Sequence, residues 1–190
     1  MKYDPLIKIT EDEEVYPPSD DSIMLIRSFD VKDDESVLEL GCGSGIVSIH
    51  CARDGAKVTC GDINPKAVEL TKLNASNNGV VLDVRETDIY SDIDGMYDTI
   101  IFNLPYLPVQ DKGELAKAWS GGEDGMGPLP ELLEYAPAYL NSDGRVIIVV
   151  SSLMNERKLS NLLSNYEVKE LSELPLFFEK LKVLEITFNR

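Results

Sequence analysis

The chain has 190 residues, of which 43% are hydrophobic and 27% are charged. These values are ordinary for a globular protein, and the length is enough to bury one sizeable core. Acidic residues outnumber basic residues 34 to 18, which gives a formal net charge of −16. Composition therefore disfavours a nucleic-acid-binding protein, because the acidic surface repels phosphate backbones and the chain has no Lys/Arg cluster to overcome that repulsion.

No apolar run reaches the length of a membrane span, and the N-terminus lacks the apolar core of a signal peptide. We therefore expect one cytoplasmic domain over residues 1–190, with no membrane partner. The three cysteines, Cys42, Cys51 and Cys60, fit neither a zinc pattern nor a disulfide framework. We expect reduced thiols and no metal site. We also expect the one histidine, His50, to be packed or on the surface rather than catalytic.

Residues 1–30 are expected to form an N-terminal lid or helix segment. Residues 1–14 end in a run of acidic residues, and this pattern predicts an exposed lead-in. Pro17-Pro18 then imposes an extended path, and Ser19 or Asp20 is a candidate cap for the helix that follows. The segment has two interpretations, a capped helix or a lid across a ligand pocket, and composition alone favours the helix.

A buried strand at Val37–Leu40 runs straight into a glycine-rich turn, Gly41-Cys42-Gly43-Ser44-Gly45, and an apolar helix-forming run follows. This corner is typical of a doubly wound α/β sheet, in which glycines let a ligand approach main-chain N–H groups. A dinucleotide fingerprint needs its third glycine where this chain has Ile46 or Ser48. The pattern Glu39-x-Gly41-x-Gly43-x-Gly45 instead resembles the first motif of Rossmann-like S-adenosylmethionine-dependent methyltransferases.

Two later strand ends supply candidate ligand-binding groups. The strand over 57–61 ends at Asp62, 17 positions after Gly45, close to the spacing at which a carboxylate binds a ribose hydroxyl pair. A candidate third strand over 80–87 ends at Asp88-Ile89, where an acceptor could take an adenine amino proton and Ile89 could lie against the ring.

The remaining pattern alternates strands and helices. Its predicted elements are a strand over 97–102, a long loop over 107–128 that contains Trp119, a helix over 130–140, a turn at 143–144, a strand over 145–150, a helix over 155–166, and strands over 167–174 and 182–188. The last two have no helix between them and should form an antiparallel hairpin. We therefore predict an α/β fold of the Rossmann-like, seven-stranded class I S-adenosylmethionine-dependent methyltransferase type, with an antiparallel C-terminal hairpin. The loop is either a packed cover of the site or a flexible insertion, and its tryptophan favours the cover.

The buried strand over 97–102 delivers Asn103-Leu104-Pro105-Tyr106 to its carboxyl end, where parallel sheets bind ligands. The Asn103 side-chain carbonyl and the Leu104 main-chain carbonyl can accept the two protons of an amide or aryl amino nitrogen. That arrangement would turn the nitrogen lone pair towards a methyl sulfonium, while Pro105 keeps Leu104 extended and Tyr106 offers a flat face. We take all four residues as candidate catalytic residues.

These motifs, together with Trp119-x-Gly121-Gly122-x-x-Gly125, resemble the HemK-like release-factor glutamine methyltransferase family. The stretch from Val15 to Ser22 is similar to the N-terminal segment of its short archaeal and eukaryotic branch. The resemblance implies N5-methylation of the glutamine in the Gly-Gly-Gln loop of a class I peptide chain release factor, with S-adenosyl-L-methionine as cofactor. It implies that Asn103 to Tyr106 hold the glutamine amide. The implied cofactor-binding residues are Ser22, Glu39, Gly41, Cys42, Gly43, Gly45, Asp62, Ile63, Asp88, Ile89 and Asn103.

The resemblance also implies partners and leaves alternatives. The release factor would be the protein substrate, and the eukaryotic branch works with a small zinc-binding activator subunit. The family usually has Pro where this chain has Leu104, and Asn-Leu-Pro-Tyr is also similar to the motif of ribosomal RNA adenine dimethyltransferases. An N6-adenine methyltransferase acting on DNA or RNA is therefore the first alternative, a non-catalytic cofactor-binding module the second, and a lysine methyltransferase a third.

Overall fold

The computed structural model describes residues 1–113 and 115–188. Within them, five helices alternate with the strands of one sheet. In chain order the elements are α1 (Asp20–Ser28), β1 (Ser36–Leu40), α2 (Ile46–Arg53), β2 (Lys57–Asp62), α3 (Pro65–Asn77), β3 (Asp83–Glu86), β4 (Tyr97–Phe102), α4 (Leu129–Tyr135), β5 (Leu140–Ser151), α5 (Glu156–Leu163), β6 (Glu167–Pro175) and β7 (Lys180–Thr187). Short 3-10 turns lie at Leu115–Ala118 and Ala136–Ala138.

The sheet has seven strands in the order β3-β2-β1-β4-β5-β7-β6. The first five strands of that order pair in parallel, whereas β7 runs antiparallel to both β5 and β6. The predicted seven-stranded α/β fold with an antiparallel C-terminal hairpin is confirmed. The strand order reverses between β1 and β4, which is the switch point where doubly wound sheets bind ligands at their carboxyl edge.

Both faces of the sheet are buried, which explains the nearly unbroken apolar runs of the central strands. Val37 faces a cluster that contains residues of α1 and α2, such as Leu25 and Val47. Leu38 faces the opposite cluster, where Leu132 of α4 packs. The core therefore lies in two layers, one on each side of β1, β4 and β5.

Three predicted boundaries were wrong. β3 begins at Asp83 rather than at residue 80, and Val81 is 92% exposed. α4 ends at Tyr135 and continues only as a 3-10 turn. The predicted turn at 143–144 lies inside β5 as a bulge: between the pairs Tyr97↔Leu140 and Thr99↔Arg145, β5 advances by three more residues than β4.

The lead-in at residues 1–14 is mostly exposed, as predicted, but it is also attached to the rest of the protein. The side-chain amides of two asparagines, Asn74 in α3 and Asn78 at its C-terminal cap, pair with this segment as a neighbouring strand would. Asn74 accepts from the Thr10 amide at 2.8 Å and donates to the Thr10 carbonyl at 3.0 Å. Asn78 does the same at Lys8, at 3.0 and 2.8 Å. The segment is held by side-chain hydrogen bonds, which hydrophobic periodicity does not reveal.

No helix in the described part of the chain is long and apolar enough to cross a membrane.

Candidate active site

A cavity of about 340 Å³ opens at the carboxyl edge of the sheet, beside the switch point between β1 and β4. It is lined by six stretches of chain, which are Val15–Pro18 with Asp21 and Ser22, Glu39–Ser44 with Ile46 and Val47, Asp62–Asn64 with Ala67, Thr87–Ile89, Phe102–Leu107, and Leu115 with Lys117–Ser120 and Pro128. The structure therefore brings together every candidate site residue except Gly45.

The glycine turn that follows β1 needs its glycines for conformation and for space. Gly41, Gly43 and Gly45 have φ values of 64°, 53° and 80°, in the left-handed region that side chains disfavour. A Cβ on Gly41 would lie 2.7 Å from a ring carbon of Phe102, whereas the nearest atom to a Cβ on Gly43 would be 3.9 Å away. Gly43 therefore leaves open space that a ligand could fill.

Gly45 has a packing role. A Cβ there would lie 2.9 Å from the Thr71 Cγ2, so its missing side chain lets α3 approach the turn closely. Gly45 does not line the cavity. It also precedes α2 as an N-cap without a side-chain hydrogen bond.

Asp62, at the end of β2, fastens the turn to the neighbouring strand. One carboxylate oxygen accepts from the Gly43 amide and the other from the Asn64 amide, each at 2.9 Å. Burial raises the Asp62 pKa above its ordinary value, although these backbone donors act in the opposite direction. Each oxygen keeps a further lone pair, so the carboxylate can accept hydrogen bonds from a ligand.

Glu39 caps α2 from the adjacent strand. One of its carboxylate oxygens accepts from the Ser48 amide at 2.9 Å and also from the Ser48 hydroxyl. The side chain is 3% exposed, and burial raises its pKa to about 8. Because Gly45 cannot cap the helix itself, Glu39 supplies the acceptor that the first turn of α2 lacks.

Asp88 and Ile89 follow β3 at the rim of the cavity. Ile89 has φ 50°, a left-handed conformation that a β-branched side chain rarely adopts. Its carbonyl accepts from the Thr87 hydroxyl at 3.3 Å, and the Asp88 amide donates to Ser91 at 3.1 Å. These hydrogen bonds hold a sharp turn that presents both residues to the cavity. Backbone strain of this kind is most often found at functional sites.

Asn103 follows β4 directly and contains the one buried side-chain polar atom of the described residues that has no hydrogen-bond partner, Oδ1. An unpaired buried acceptor costs about 1–3 kcal/mol, so such atoms usually have a ligand or a role. The Leu104 side chain is buried, and no backbone N–H of the described residues donates to its carbonyl. Two acceptors therefore lie one residue apart at the cavity, as the tetrapeptide predicted.

Two glycines of the long loop pack against the carbonyls that come next in the chain. A Cβ on Gly127 would lie 2.7 Å from the Pro105 oxygen, and one on Gly125 would lie 2.6 Å from the Tyr106 oxygen. The loop over 107–128 therefore packs directly against the tetrapeptide. Leu107 also forms a bridge with Ser120. These contacts support the interpretation of the loop as a packed cover rather than as a flexible insertion.

The N-terminal segment meets the same loop over the cavity. The Tyr16 and Trp119 rings lie 6.2 Å apart, centre to centre, and the Trp119 indole donates to Asp111 at 2.8 Å. The expected side-chain cap on α1 is absent, since Ser19 donates instead to Asp21 at 2.6 Å. The favoured interpretation, a helix with an acidic first turn, is confirmed by α1, and Val15–Pro18 before it also lines the cavity.

Asp21 is a cavity residue that the sequence interpretation missed. Its side chain is buried, accepts from the Ser22 amide at 2.6 Å, and lies 3.5 Å from the Tyr106 hydroxyl. Burial, and then the charge of Asp21, raise the Tyr106 pKa above its ordinary range. The available signal was the acidic pair Asp20-Asp21 after two prolines, which we interpreted only as a helix start.

The chemistry of the lining fits a cationic ligand. Carboxyl groups of Asp21, Asp62 and Asp88 line the cavity beside Lys117, together with Glu39, whose raised pKa keeps it largely protonated at neutral pH. Cys42 is buried, and the neighbouring Cys60 together with burial raises its pKa well above the ordinary value, so it stays a neutral thiol. Residues 1–113 and 115–188 contain no group of His, Cys, Asp or Glu that could hold a metal ion.

Sequence comparison identifies relatives of the whole chain. Residues 19–173 match the model of the methyltransferase small domain family. The chain is 40% identical over 186 residues to a Methanocaldococcus jannaschii protein provisionally named protein N5-glutamine methyltransferase, covering 94% of each. It is 29% identical over 162 residues to the Mus musculus methyltransferase HEMK2, covering 77% of this chain and 76% of that one.

A solved structure with the same fold is the E. cuniculi Mtq2–Trm112 complex, described as responsible for methylation of the translation termination factor eRF1. Its TM-score is 0.73 at 18% identity, and the match covers 93% of this chain and 99% of that one. The HemK-like resemblance expected from the motifs is confirmed. Together with the glycine turn that Gly43 leaves open and the acidic cavity, these matches place the chain in the methyltransferase small domain family, as an S-adenosylmethionine-dependent methyltransferase.

Proposed function

We propose that this methyltransferase modifies N5 of the glutamine in the Gly-Gly-Gln loop of a class I release factor. The observation that carries the proposal is the unpaired Oδ1 of Asn103, the residue that follows β4 at the cavity and precedes Leu104. Two acceptors one residue apart match the two N–H groups of a primary amide. A substrate amide would satisfy the acceptor that the protein leaves unpaired.

We propose that the residues around the cavity divide between cofactor and substrate. Asp62 would hold the ribose hydroxyls, while Asp88 and Ile89 would hold the adenine. Cys42 and Ile63 would contact the cofactor beside them. Ser22, Glu39 and the open turn at Gly41 and Gly43 would surround the amino-acid part. When bound, S-adenosylmethionine supplies a methyl group on a cationic sulfonium, and the acidic lining suits that charge.

The chain's own residues then orient the amide for transfer. Asn103 Oδ1 and the Leu104 carbonyl each accept one N–H, which fixes the nitrogen and leaves its lone pair pointing away from both acceptors. Tyr106 is protonated at neutral pH like an ordinary tyrosine, and burial raises its pKa further, so its ring can pack against the planar amide without adding charge. The nitrogen would gain the methyl group as the bond from methyl to sulfur breaks, which leaves a neutral thioether, and it would release one proton to water. Positioning of this kind is what a reactive methyl donor requires.

A protein substrate fits the charge better than a nucleic acid does. The net charge of −16 and the carboxyl groups at the cavity would repel a phosphate backbone. The names of the Methanocaldococcus relative and of the solved complex point to glutamine and to a termination factor. The adenine, lysine and non-catalytic alternatives become outcomes of the test below.

The test is transfer of labelled methyl from S-adenosylmethionine to the host's own release factor. Wild-type factor is compared with a factor whose Gly-Gly-Gln glutamine is changed to asparagine, and wild-type enzyme with Asn103→Ala. We expect label on the wild-type factor alone and a loss in kcat of about 100-fold or more with Asn103→Ala, by analogy with the loss of one positioned hydrogen-bonding group.

Asn103→Asp is the matched control for shape, since it keeps an acceptor oxygen in the place of Oδ1 and changes only the amide nitrogen to a second oxygen. Absence of label on the factor would overturn the glutamine proposal. Label on DNA, RNA or a lysine-containing protein in parallel reactions would assign one of the alternatives. Cofactor binding without any transfer would assign the non-catalytic one.

We also propose that a small activator subunit assists the reaction. The support is the E. cuniculi structure, which is a complex of the methyltransferase with Trm112. The resemblance implies that such a subunit binds zinc. The transfer assay is therefore run with and without the host's candidate small zinc-binding protein, and with that protein after metal removal. A rate that does not change on adding the candidate would contradict this part of the proposal.

A further inference from the structure

Two adjacent phenylalanines form the tip of the β6–β7 hairpin and are almost fully exposed. Phe177 is 92% exposed and Phe178 is 85% exposed, with ring centres 4.6 Å apart at 82°. The other three phenylalanines of the chain, Phe29, Phe102 and Phe188, are buried or packed against the core. We call this exposed pair the hairpin tip. Its two phenylalanines differ from the other three in being exposed.

Turn chemistry does not explain the hairpin tip. The last paired residues of the two strands are Pro175 and Lys180. Beyond them the Leu176 amide donates to the Glu179 carbonyl at 2.8 Å, which leaves Phe177 and Phe178 as the two-residue loop. Short hairpin loops favour Asn, Asp and Gly, which adopt the required backbone readily. Two exposed aromatic side chains also forgo the free energy of burial, which is about 1.5–3 kcal/mol for a side chain of this size. A binding role would account for them.

The base of the hairpin is fixed to the carboxyl end of β5. The Ser152 amide donates to the Lys180 carbonyl at 2.9 Å, and the Lys180 amide donates to the Ser152 hydroxyl at 2.9 Å. Ser151 donates from its hydroxyl to the Glu179 carboxylate at 2.5 Å. The hairpin tip therefore has a defined position relative to the sheet edge that contains the cavity.

The hairpin tip lies at the same edge of the sheet as the cavity and the tetrapeptide. β5 pairs directly with β4, which ends at Phe102, the residue before Asn103. The charge of Glu179, the residue after Phe178, contributes to the raised pKa of Tyr106. Tyr106 and Leu176 also pack against the same apolar cluster. The exposed rings and the tetrapeptide therefore belong to one continuous region of the molecule.

We infer that Phe177 and Phe178 are the docking point for the protein substrate, where they bury an apolar patch beside the residue to be methylated. This inference rests on the proposed function. The occupant is a protein, because the carboxylates of Glu179 and of the cavity would repel the phosphates of a nucleic acid. Aromatic side chains, phenylalanine included, are also enriched in the cores of protein interfaces.

The test compares wild-type enzyme with Phe177→Ala/Phe178→Ala in methylation of the intact release factor, with activator candidates present. We expect kcat/KM to fall about tenfold or more, mainly through a raised KM, as at an interface hot spot. The affinity for S-adenosylmethionine should stay unchanged. Leu6→Ala is the matched control, since Leu6 is 79% exposed in the N-terminal segment and does not line the cavity.

A second variant distinguishes the kinds of partner. Phe177→Leu/Phe178→Leu keeps apolar surface but removes the flat rings, so it should keep most of the activity on a protein, whereas stacking on nucleobases would be lost. If wild type methylates the factor and the alanine variant matches it, docking at the hairpin tip is wrong and the proposed function stands. If the leucine variant is as impaired as the alanine variant, apolar docking is wrong. If wild type does not methylate the factor at all, both proposals fail.

Discussion

At the scale of single residues, Glu39 links folding to pH. Its pKa is raised to about 8 from 4.5, chiefly by burial. Between those values the folded protein binds more protons than the unfolded chain, so this residue's contribution to stability is complete below pH 4.5 and is lost as pH rises through about 8. The slope for one proton approaches about 1.4 kcal/mol per pH unit.

The variant Glu39→Gln should remove this contribution. Its side-chain carbonyl can still accept from the Ser48 amide and cap α2, but it does not titrate in this range. We expect the free energy of unfolding of wild type to fall, relative to the variant, as pH rises from about 5 to about 8. Denaturant unfolding at several pH values measures both slopes. Parallel slopes would show that Glu39 does not exchange its proton in this window.

At the scale of elements, the sequence predicted the strands and turns whose position is set by the period of hydrophobic residues. β1, β2 and β4 are buried on both faces and were predicted closely, as was the corner formed by Gly41, Gly43 and Gly45. The sequence did not predict the contacts that side-chain hydrogen bonds make. The N-terminal segment pairs with Asn74 and Asn78, which period alone cannot identify.

In the candidate site, too, the sequence located residues that follow a local pattern and missed a residue that is placed by long-range contacts. Asp62 and Asn103 stand directly at the ends of buried strands, so the sequence located them. Asp21 reaches the cavity because the N-terminal segment runs over the sheet edge. This contact is long-range, and no local sequence pattern predicts it. Gly45 packs closely against Thr71 and does not line the cavity, so its contact with the cofactor stays a prediction.

His50 in α2 makes the attachment of the N-terminal segment depend on pH. Its Nδ1 donates to the Ile46 carbonyl at 2.7 Å, and its Nε2 accepts from the Asp4 amide at 3.1 Å, so the ring is neutral. The Tyr3 ring stacks on it at 5.4 Å. Burial lowers the His50 pKa below its ordinary value of 6.5, despite the nearby charges of Asp4 and Asp54.

Protonation of Nε2 would remove the acceptor for Asp4. Since the folded pKa is depressed, this contribution to stability is present above about pH 6.5 and is lost as pH falls through the folded value. We expect the Asp4 amide resonance to shift, and its protection from exchange to fall, below about pH 6. NMR titration measures both, and His50→Gln should abolish the shift. An Asp4 amide that does not change between about pH 5 and pH 7 would contradict this role.

At the scale of the whole molecule, the excess of acidic side chains sets the electrostatics. The described ion pairs, such as Lys57 with Asp34 and Lys182 with Glu170, are mostly exposed, and each contributes about 0–1 kcal/mol. With 34 acidic and 18 basic residues, at least 16 acidic groups have no basic counterpart. Their mutual repulsion opposes the compact state and is not screened at low ionic strength.

Added salt should therefore stabilise the protein at neutral pH. We expect the Tm to rise by a few degrees between about 20 and about 300 mM sodium chloride, because a chain of this size gains about 2–4 °C for each kcal/mol. Scanning calorimetry at fixed pH measures this. Near pH 4.4, the pI of the sequence, the net charge vanishes and the salt effect should largely disappear. A Tm that falls with salt at neutral pH would mean that the surface ion pairs outweigh the repulsion, and that the acidic excess does not limit the stability of this fold.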